Sequence, residues 1–265
     1  MTKILLVGCG KMGSAMLAGW LEQGIAAADV VVVEPNPAQV PAGVALVGAA
    51  PEIPAAFSPD IVILAVKPQV MADVVPAYAR FAGQATFLSI AAGKPISFFQ
   101  THLGQGAAIV RAMPNTPAAV RRGITVCCAG PGVTDQARSS CQSLLQAVGQ
   151  VAWIEDEGLM DAVTAVSGSG PAYVFLLAEV MAEAGARAGL PAELAAQLAR
   201  ATVAGAGELL RQSNDSAAQL RINVTSPGGT TAAALAVLMD QGKGMGPLMT
   251  DAVAAATRRG KELAG

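Results

Sequence analysis

The sequence is poor in charge, in aromatic rings and in histidine. Only 14% of its 265 residues are Asp, Glu, Lys or Arg, against roughly 25% in an ordinary globular domain. With 53% hydrophobic residues beside so few charges, disorder is excluded, because disorder needs low hydrophobicity and high net charge. The 17 basic residues do not exceed the 19 acidic ones, so no excess remains to neutralise phosphates and no nucleic-acid partner is expected. The single histidine, His102, lies in Phe99-Gln100-Thr101-His102-Leu103-Gly104 and reads as a solvated helix end. Cys9, Cys127, Cys128 and Cys141 contain no Cys-x-x-Cys pair, and Cys127 and Cys128 would point to opposite faces of a strand. No metal site is therefore expected, and the cysteines read as small core hydrophobes. Aromatic residues make up 4%, so the apolarity comes mostly from Ala, Gly, Val and Leu. Small residues let helices approach closely, which predicts tight helix packing and a large subunit interface.

A long uncharged apolar segment is also missing. Mean hydropathy is +0.49, and the longest run without a charge is the 18 residues from Ile222 to Met239. That run holds Asn223, Thr225, Ser226, Pro227, Gly228, Gly229, Thr230 and Thr231, which would put broken backbone into hydrocarbon. The first residues, Met1 to Val7, lead directly into a glycine motif without a cleavage-site pattern. The expectation is a soluble, cytoplasmic protein without a membrane span.

What is present is an alternation of short β-rich runs and helical stretches over the first ~155 residues. Strands are predicted at Lys3–Val7, Val30–Val33, Ile61–Ala65, Thr86–Ser89, Ala108–Arg111, Thr125–Cys128 and Val151–Ile154. Helical patterns lie between them at Met12–Gln23, Val70–Phe81 and Asp135–Val148. Strands apolar on both faces and separated by helices indicate a mostly parallel sheet covered on both sides. From about Asp161 only helical patterns remain: Ala172–Ala188, Ala192–Gln212, Thr231–Gln241 and Pro247–Leu263. Several are apolar nearly all round, notably Ala196–Gly207, and such helices must be buried on every face. About 100 residues of this kind cannot enclose themselves, so a second subunit is expected to cover them. The chain divides into residues 1–157, a dinucleotide-binding domain, and 158–265, a helical dimerisation and substrate-binding domain.

The first domain takes that description from Gly8-Cys9-Gly10-Lys11-Met12-Gly13, which follows a strand and opens a helix. Gly8 permits the tight turn, Gly10 lets the backbone approach a pyrophosphate, and Gly13 lets the helix pack on the sheet. Free N–H groups at the helix start hold the anion. Glu34 ends the second strand, 21 residues past Gly13. An acid there accepts ribose hydroxyls and repels a 2′-phosphate, which favours NADH over NADPH. The following Pro35-Asn36-Pro37 could form a polar pocket, and no Arg or Lys lies in the next twenty positions. Three further loops, Ala65-Val66-Lys67-Pro68, Ile90-Ala91-Ala92-Gly93 and Met113-Pro114-Asn115-Thr116-Pro117, follow strands on the same side of the sheet. Ligands in open α/β sheets lie outside those strand ends, so these loops are expected against the nicotinamide half. Val224-Thr225-Ser226-Pro227-Gly228-Gly229-Thr230-Thr231 leads into another helix and would suit a small carboxylate. Ser167-Gly168-Ser169-Gly170-Pro171-Ala172-Tyr173 is a similar helix start, with Pro171 suited to the first turn.

Taken together, the N-terminal glycine motif, Ala-Val-Lys-Pro, Met-Pro-Asn-Thr-Pro, Ser-Gly-Ser-Gly-Pro-Ala-Tyr and Ser-Pro-Gly-Gly-x-Thr resemble pyrroline-5-carboxylate reductase from end to end. The resemblance implies a Rossmann domain followed by a helical domain that interlocks in a dimer, or in a decamer built from five dimers. It implies reduction of 1-pyrroline-5-carboxylate to L-proline with NADPH or NADH, the final step of proline biosynthesis. By the same resemblance the cofactor is held by Gly8 to Gly13, Asn36, Ala65 to Pro68, Ala92 and Asn223. The substrate sits against Ser226, Gly228, Gly229, Thr230 and Thr231, with Glu157 near its pocket and Thr231 at the ring nitrogen. Two departures stand out. Ala49-Ala50-Pro51-Glu52 replaces a stretch in which many members carry a cofactor-contacting Asn, and Leu220-Arg221-Ile222-Asn223-Val224 lacks the acid usual at position 222.

The chemistry of the residues agrees. A protonated cyclic imine is already electrophilic and needs no strong general acid, so catalysis would rest on proximity. Lys67 then serves through its backbone, and Tyr173 packs. Two other readings remain. One is another NAD(P)-dependent imine or hydroxyacid reductase; hydroxyacid enzymes usually present a Lys or His acid, whereas Ala172–Gln212 offers only Arg187, Arg200 and Arg211. The other is a non-catalytic dinucleotide-binding protein.

Overall fold

A computed structural model describes residues 2–36 and 40–264; Pro37 of the expected polar pocket lies outside them. The chain divides into two compact units, Met1–Gly168 with Ala256–Gly265, and Ser169–Ala255.

The first unit is built on one eight-stranded sheet. Its elements are β1 (Ile4–Val7), α1 (Lys11–Glu22), β2 (Val30–Val33), β3 (Ala45–Val47), β4 (Ile61–Leu64), α2 (Met71–Val74), β5 (Thr86–Ser89), α3 (Ile96–Leu103), β6 (Ala108–Met113), β7 (Gly123–Ala129), α4 (Asp135–Gln146), β8 (Gly149–Ile154) and α5 (Met160–Val163). The strand order is β3-β2-β1-β4-β5-β6-β7-β8. Pairing is parallel from β3 to β6 and again between β7 and β8, but antiparallel between β6 and β7. β1, β2, β4 and β5 are buried along their whole length; β1, β2 and β4 are wholly apolar, and β5 places Phe87 and Leu88 on opposite faces between the buried Thr86 and Ser89. One face carries Leu5, Val31, Val62 and Phe87 against Phe99 and Tyr78. The other carries Ile4, Val30, Ile61 and Leu88 against Met16, Leu17, Trp20 and Leu145. Trp20 is fully buried because its Nε1–H donates to the Leu144 carbonyl at 2.8 Å. Cys127 and Cys128 fall on opposite faces, as neighbours on a strand must. The expected α/β class, a doubly wound and mostly parallel sheet followed by helices, is what forms.

Three features differ from the sequence reading. β3 was not anticipated: it has three residues, is an edge strand, and is half-buried only at Val47. The helix expected over Val70–Phe81 is broken into a 3-10 turn (Pro68–Val70), α2 and a second 3-10 stretch (Val75–Phe81). Pro76 has no N–H for the carbonyl four residues back, which loosens the helix at that point. Finally, β7 and β8 run opposite to the other strands, so only β1 to β6 share a carboxyl edge.

The second unit consists of α6 (Gly170–Arg187), α7 (Ala192–Gln212), α8 (Ala217–Asn223), α9 (Thr230–Leu238) and most of α10 (Met245–Ala264). α6 and α7 pack closely, since a Cβ on Gly185 would lie 3.3 Å from that of Ala195. Yet α6 and α9 bury no side chain and α7 buries only Ala195 and Ala199. Phe175, Leu176, Leu209 and Val237 are all more than half exposed. The helical stretch Glu157–Arg187 is long and apolar enough to cross a membrane, by length and composition alone. In Ile222–Met239, the run singled out by the sequence, a turn at Ser226–Gly229 separates α8 from α9.

Candidate active site

The carboxyl ends of β1, β2 and β4 meet where the strand order reverses, and a cavity of about 820 Å³ opens there. Its size suits a small-molecule ligand. Gly8, Cys9 and Gly10 line it from β1, Glu34 and Asn36 from β2, and Ala65, Val66 and Lys67 from β4. Gly8 has φ +94°, and a Cβ there would lie 2.9 Å from Ala65 and Val66. Gly13 is equally constrained, because its Cβ would fall 2.4 Å from the Gly8 carbonyl oxygen. Gly10 is different: nothing in the chain lies within 4 Å of a Cβ built there. Packing explains Gly8 and Gly13, whereas Gly10 leaves room for something that is not protein. Gly10 is also the N-cap of α1 and contributes no side-chain cap, so the first N–H groups, at Lys11, Met12 and Gly13, have no partner within the helix.

Glu34 is fastened to this loop. Its Oε2 accepts the Cys9 N–H at 2.9 Å, and its Oε1 accepts the Asn36 N–H at 3.0 Å and Nδ2 at 3.1 Å. Partial burial pushes the carboxyl up, but those bonds outweigh it and hold Glu34 below the usual carboxylate range. The Cys9 thiol is pushed up by burial and by the Glu34 charge. Burial raises the Cys128 and Cys127 thiols too, and lifts Cys141 to about 12. All four cysteines are free thiols, and none is poised as a nucleophile. His102 ends α3 with Nδ1 2.8 Å from the Phe98 carbonyl oxygen, half-buried rather than solvated. Among the described residues no group of His, Cys, Asp or Glu could hold a metal ion.

The remaining expected residues lie elsewhere. Pro68 opens the 3-10 turn after Lys67. Ala92 is exposed in the loop between β5 and α3. Asn115 is engaged on both sides: Nδ2 donates to the Ser167 carbonyl at 3.2 Å, and Oδ1 accepts the Ile124 N–H at 3.0 Å. That carbonyl lacks a helical donor, because residues 164–168 form a π-helical turn, Pro171 has no N–H, and the Ala172 N–H goes to Ser169. Met113 packs on the same turn, with its Cε 2.6 Å from where a Gly168 Cβ would be. Glu157 accepts Arg111 Nη1 at 2.9 Å and the Ile96 N–H at 2.8 Å.

Asn223 and Ser226–Thr231 belong to the second unit. Asn223 Oδ1 accepts Gln219 Nε2 at 2.8 Å. Ser226 to Gly229 is a turn closed by the Gly229 N–H on the Ser226 carbonyl at 3.1 Å, with Pro227 and Gly228 (φ +70°) at its centre. α9 starts at Thr230 with Gly229 as a bare N-cap, so the N–H groups of Thr230 and Thr231 have no helical partner.

Residues 157–263 match the family model for pyrroline-5-carboxylate reductase dimerisation, and residues 3–93 match that for NADP oxidoreductase, coenzyme F420-dependent. The pyrroline-5-carboxylate reductase of Pseudomonas aeruginosa is 39% identical over 99% of this chain and 97% of its own. The chain belongs to the pyrroline-5-carboxylate reductase family. The Synechocystis member is 40% identical over 97% of each chain. The solved Coxiella burnetii reductase is 33% identical with a TM-score of 0.92, covering 100% of this chain and 99% of that one. The Plasmodium falciparum reductase, solved with NADP bound, has a TM-score of 0.81 at 29% identity, over 100% and 98%.

In this family member the cavity wall also includes Gly48, Ala49, Ala50 and Pro51 after β3, and Asp73 and Tyr78 from the broken helix. Sequence reasoning assigned none of these to the site. The signal for the first group was the family resemblance, which marks Ala49-Ala50-Pro51-Glu52 as a stretch where many members carry a cofactor-contacting Asn. Tyr78 is buried, and burial, partly offset by Arg80, lifts its hydroxyl to about 12.

Proposed function

We propose that this chain reduces 1-pyrroline-5-carboxylate to L-proline with a hydride from NAD(P)H, as the last step of proline biosynthesis. The observation that carries the reading is the presence, in one chain of this family, of an open glycine cradle at the sheet's switch point and of a Pro-Gly turn with free helical N–H groups. Gly8, Cys9, Gly10, Lys11, Met12 and Gly13 would cradle the pyrophosphate, since Gly10 has the empty space that backbone approach requires. Glu34 and Asn36 would receive the adenosine ribose, and Ala65, Val66, Lys67, Pro68, Ala92, Asn115 and Asn223 would complete the cofactor set. When bound, the reduced nicotinamide supplies the hydride. The N–H groups after Gly228-Gly229 would fix the substrate carboxylate together with Ser226 and Thr230, the Thr231 hydroxyl would orient the ring nitrogen, and Glu157 would stand near that pocket. No protein acid is required if the imine arrives protonated. Glu34, already oriented by Cys9, favours NADH.

Residues 1–157 would form the dinucleotide domain and 158–265 the dimerisation and substrate domain. The apolar helical surface is assigned to further copies of the chain, as a dimer or five dimers, rather than to lipid. Glu179, Glu183 and Arg187 on the long apolar helix argue for a protein partner over hydrocarbon. A cytoplasmic location without nucleic-acid binding fits the charge balance.

The test is initial rates of NADH and NADPH oxidation with 1-pyrroline-5-carboxylate, beside Thr231→Ala. Turnover to proline is expected, with kcat for the variant down about 10- to 100-fold, the loss of one orienting group. A folded oligomer that binds NADH yet never turns over would refute the reading.

A further inference from the structure

We propose that Glu157 is a positioning residue for the coenzyme, acting through the loop between β5 and α3; the inference rests on the functional reading above. Arg111, on β6, is 7% exposed. A buried guanidinium needs an opposite charge, and Glu157 Oε1 provides it at 2.9 Å. The same oxygen accepts the N–H of Ile96, the first residue of α3, at 2.8 Å. α3 needs this help, because its N-cap is Pro95 and no side chain next to it caps the helix. A carboxylate 61 residues along the chain therefore serves as the acidic cap at the positive end of α3.

That cap fixes one end of the segment Ile90–Pro95, which contains Ala92. The other end is fixed by Ser89, which is fully buried and whose Oγ accepts the Ala91 N–H at 3.3 Å. The Ile90 N–H is held by the Leu64 carbonyl at 3.2 Å. Between these anchors Gly93 takes φ +70°. Arg111 also precedes Met113-Pro114-Asn115 by two residues, so one ion pair braces two of the loops at the carboxyl edge. Both of Glu157's bonds converge on Oε1 at the start of α3, which is the geometry of a brace.

Three variants of the full-length enzyme separate this role from direct substrate contact. NADH affinity is measured by fluorescence titration without imine, KM and kcat by steady-state rates, and Tm by melting. Glu157→Ala should weaken NADH about tenfold or more and lower kcat, with KM for 1-pyrroline-5-carboxylate within about twofold. Glu157→Gln keeps an acceptor for the Ile96 N–H but removes the charge opposite the buried Arg111, so its NADH affinity should fall between those of the wild type and Glu157→Ala. If the alanine variant does not fold, Glu157→Asp, one methylene short of both donors, carries the test with the same expected split. The proposal is overturned if Gln and Ala both raise the imine KM about tenfold while NADH affinity holds, because the charge would then face the substrate. It is equally overturned if Tm falls while NADH affinity and the kcat-to-KM pattern stay unchanged. The NADH titrations judge the brace independently of the imine, so a wild type without turnover refutes the functional reading alone.

Discussion

Replacing Glu34 by Gln tests the coenzyme reading through a single charge. The carboxylate is aimed by three hydrogen bonds, from Cys9 N–H, Asn36 N–H and Asn36 Nδ2. A 2′-phosphate carries about −1.5 to −2 charges, and at roughly 5 Å from Glu34 in fully aqueous screening the repulsion is about 1.5 kcal/mol, near tenfold in affinity. The partly enclosed cavity makes that a lower bound. Gln keeps an acceptor for the Cys9 N–H, so the loop should survive. Calorimetric titration of both coenzymes should therefore show NADH bound about tenfold tighter than NADPH by the wild type. In Glu34→Gln, NADPH should gain about tenfold while NADH loses about threefold to fivefold, the worth of one charge-assisted bond. Added salt should shrink the wild-type preference, since the repulsion is screened. The pH dependence has a definite sign. Glu34 is depressed in the folded state, so its charge and its bonds persist at neutral pH and down through the ordinary carboxylate range, and are lost only as pH falls through the depressed value. A wild type that binds NADPH tenfold tighter, or a variant that changes both coenzymes equally, would refute the reasoning.

Two further perturbations follow from the geometry. Gly10→Ala should fold with Tm within about 2 °C of wild type, as a surface change does, yet lose most dinucleotide binding, because its Cβ fills the cradle and meets no protein atom. Gly13→Ala should instead destabilise by about 3 kcal/mol in chemical denaturation, since its Cβ strikes the Gly8 carbonyl; equal Tm losses in both would remove the case for a ligand at Gly10. Phe175→Glu alters a side chain 68% exposed on the single chain, so sedimentation should show smaller assemblies with the first unit still folded. Unchanged assembly with Phe175→Glu would place the partner on another face.

The sheet was largely legible in the sequence because a buried parallel strand is apolar on both faces, and Val30–Val33 and Thr86–Ser89 were bounded to the residue. β3 escaped because an exposed three-residue edge strand has no such pattern. The reversal of β7 also escaped, because direction is set by a short connection rather than by composition. Ala192–Gln212 matched its expected bounds, since flanking breakers mark both ends. At the site, the glycine motif and Glu34 were legible as local spacing with a geometric reason. Ala49–Pro51 stood out only through the family resemblance, and Gly48, Asp73 and Tyr78 not at all, because they reach the cavity through strand order and a proline-broken helix. The bonds of Asn115 and Glu157 span 52 and 61 residues, beyond any local pattern.

The Asn115 bond to Ser167 has a consequence for anyone rebuilding this chain. Met-Pro-Asn and Ser-Gly-Ser-Gly-Pro look like separate cassettes, each suited to transplantation. They are one part: Pro171 withholds a donor, Asn115 supplies it, and Gly168 makes way for Met113. A chimera that exchanges the first stretch alone inherits an orphaned carbonyl, and one that exchanges the second alone inherits an amide with nothing to hold. The crossover point belongs outside both, so that the two travel together.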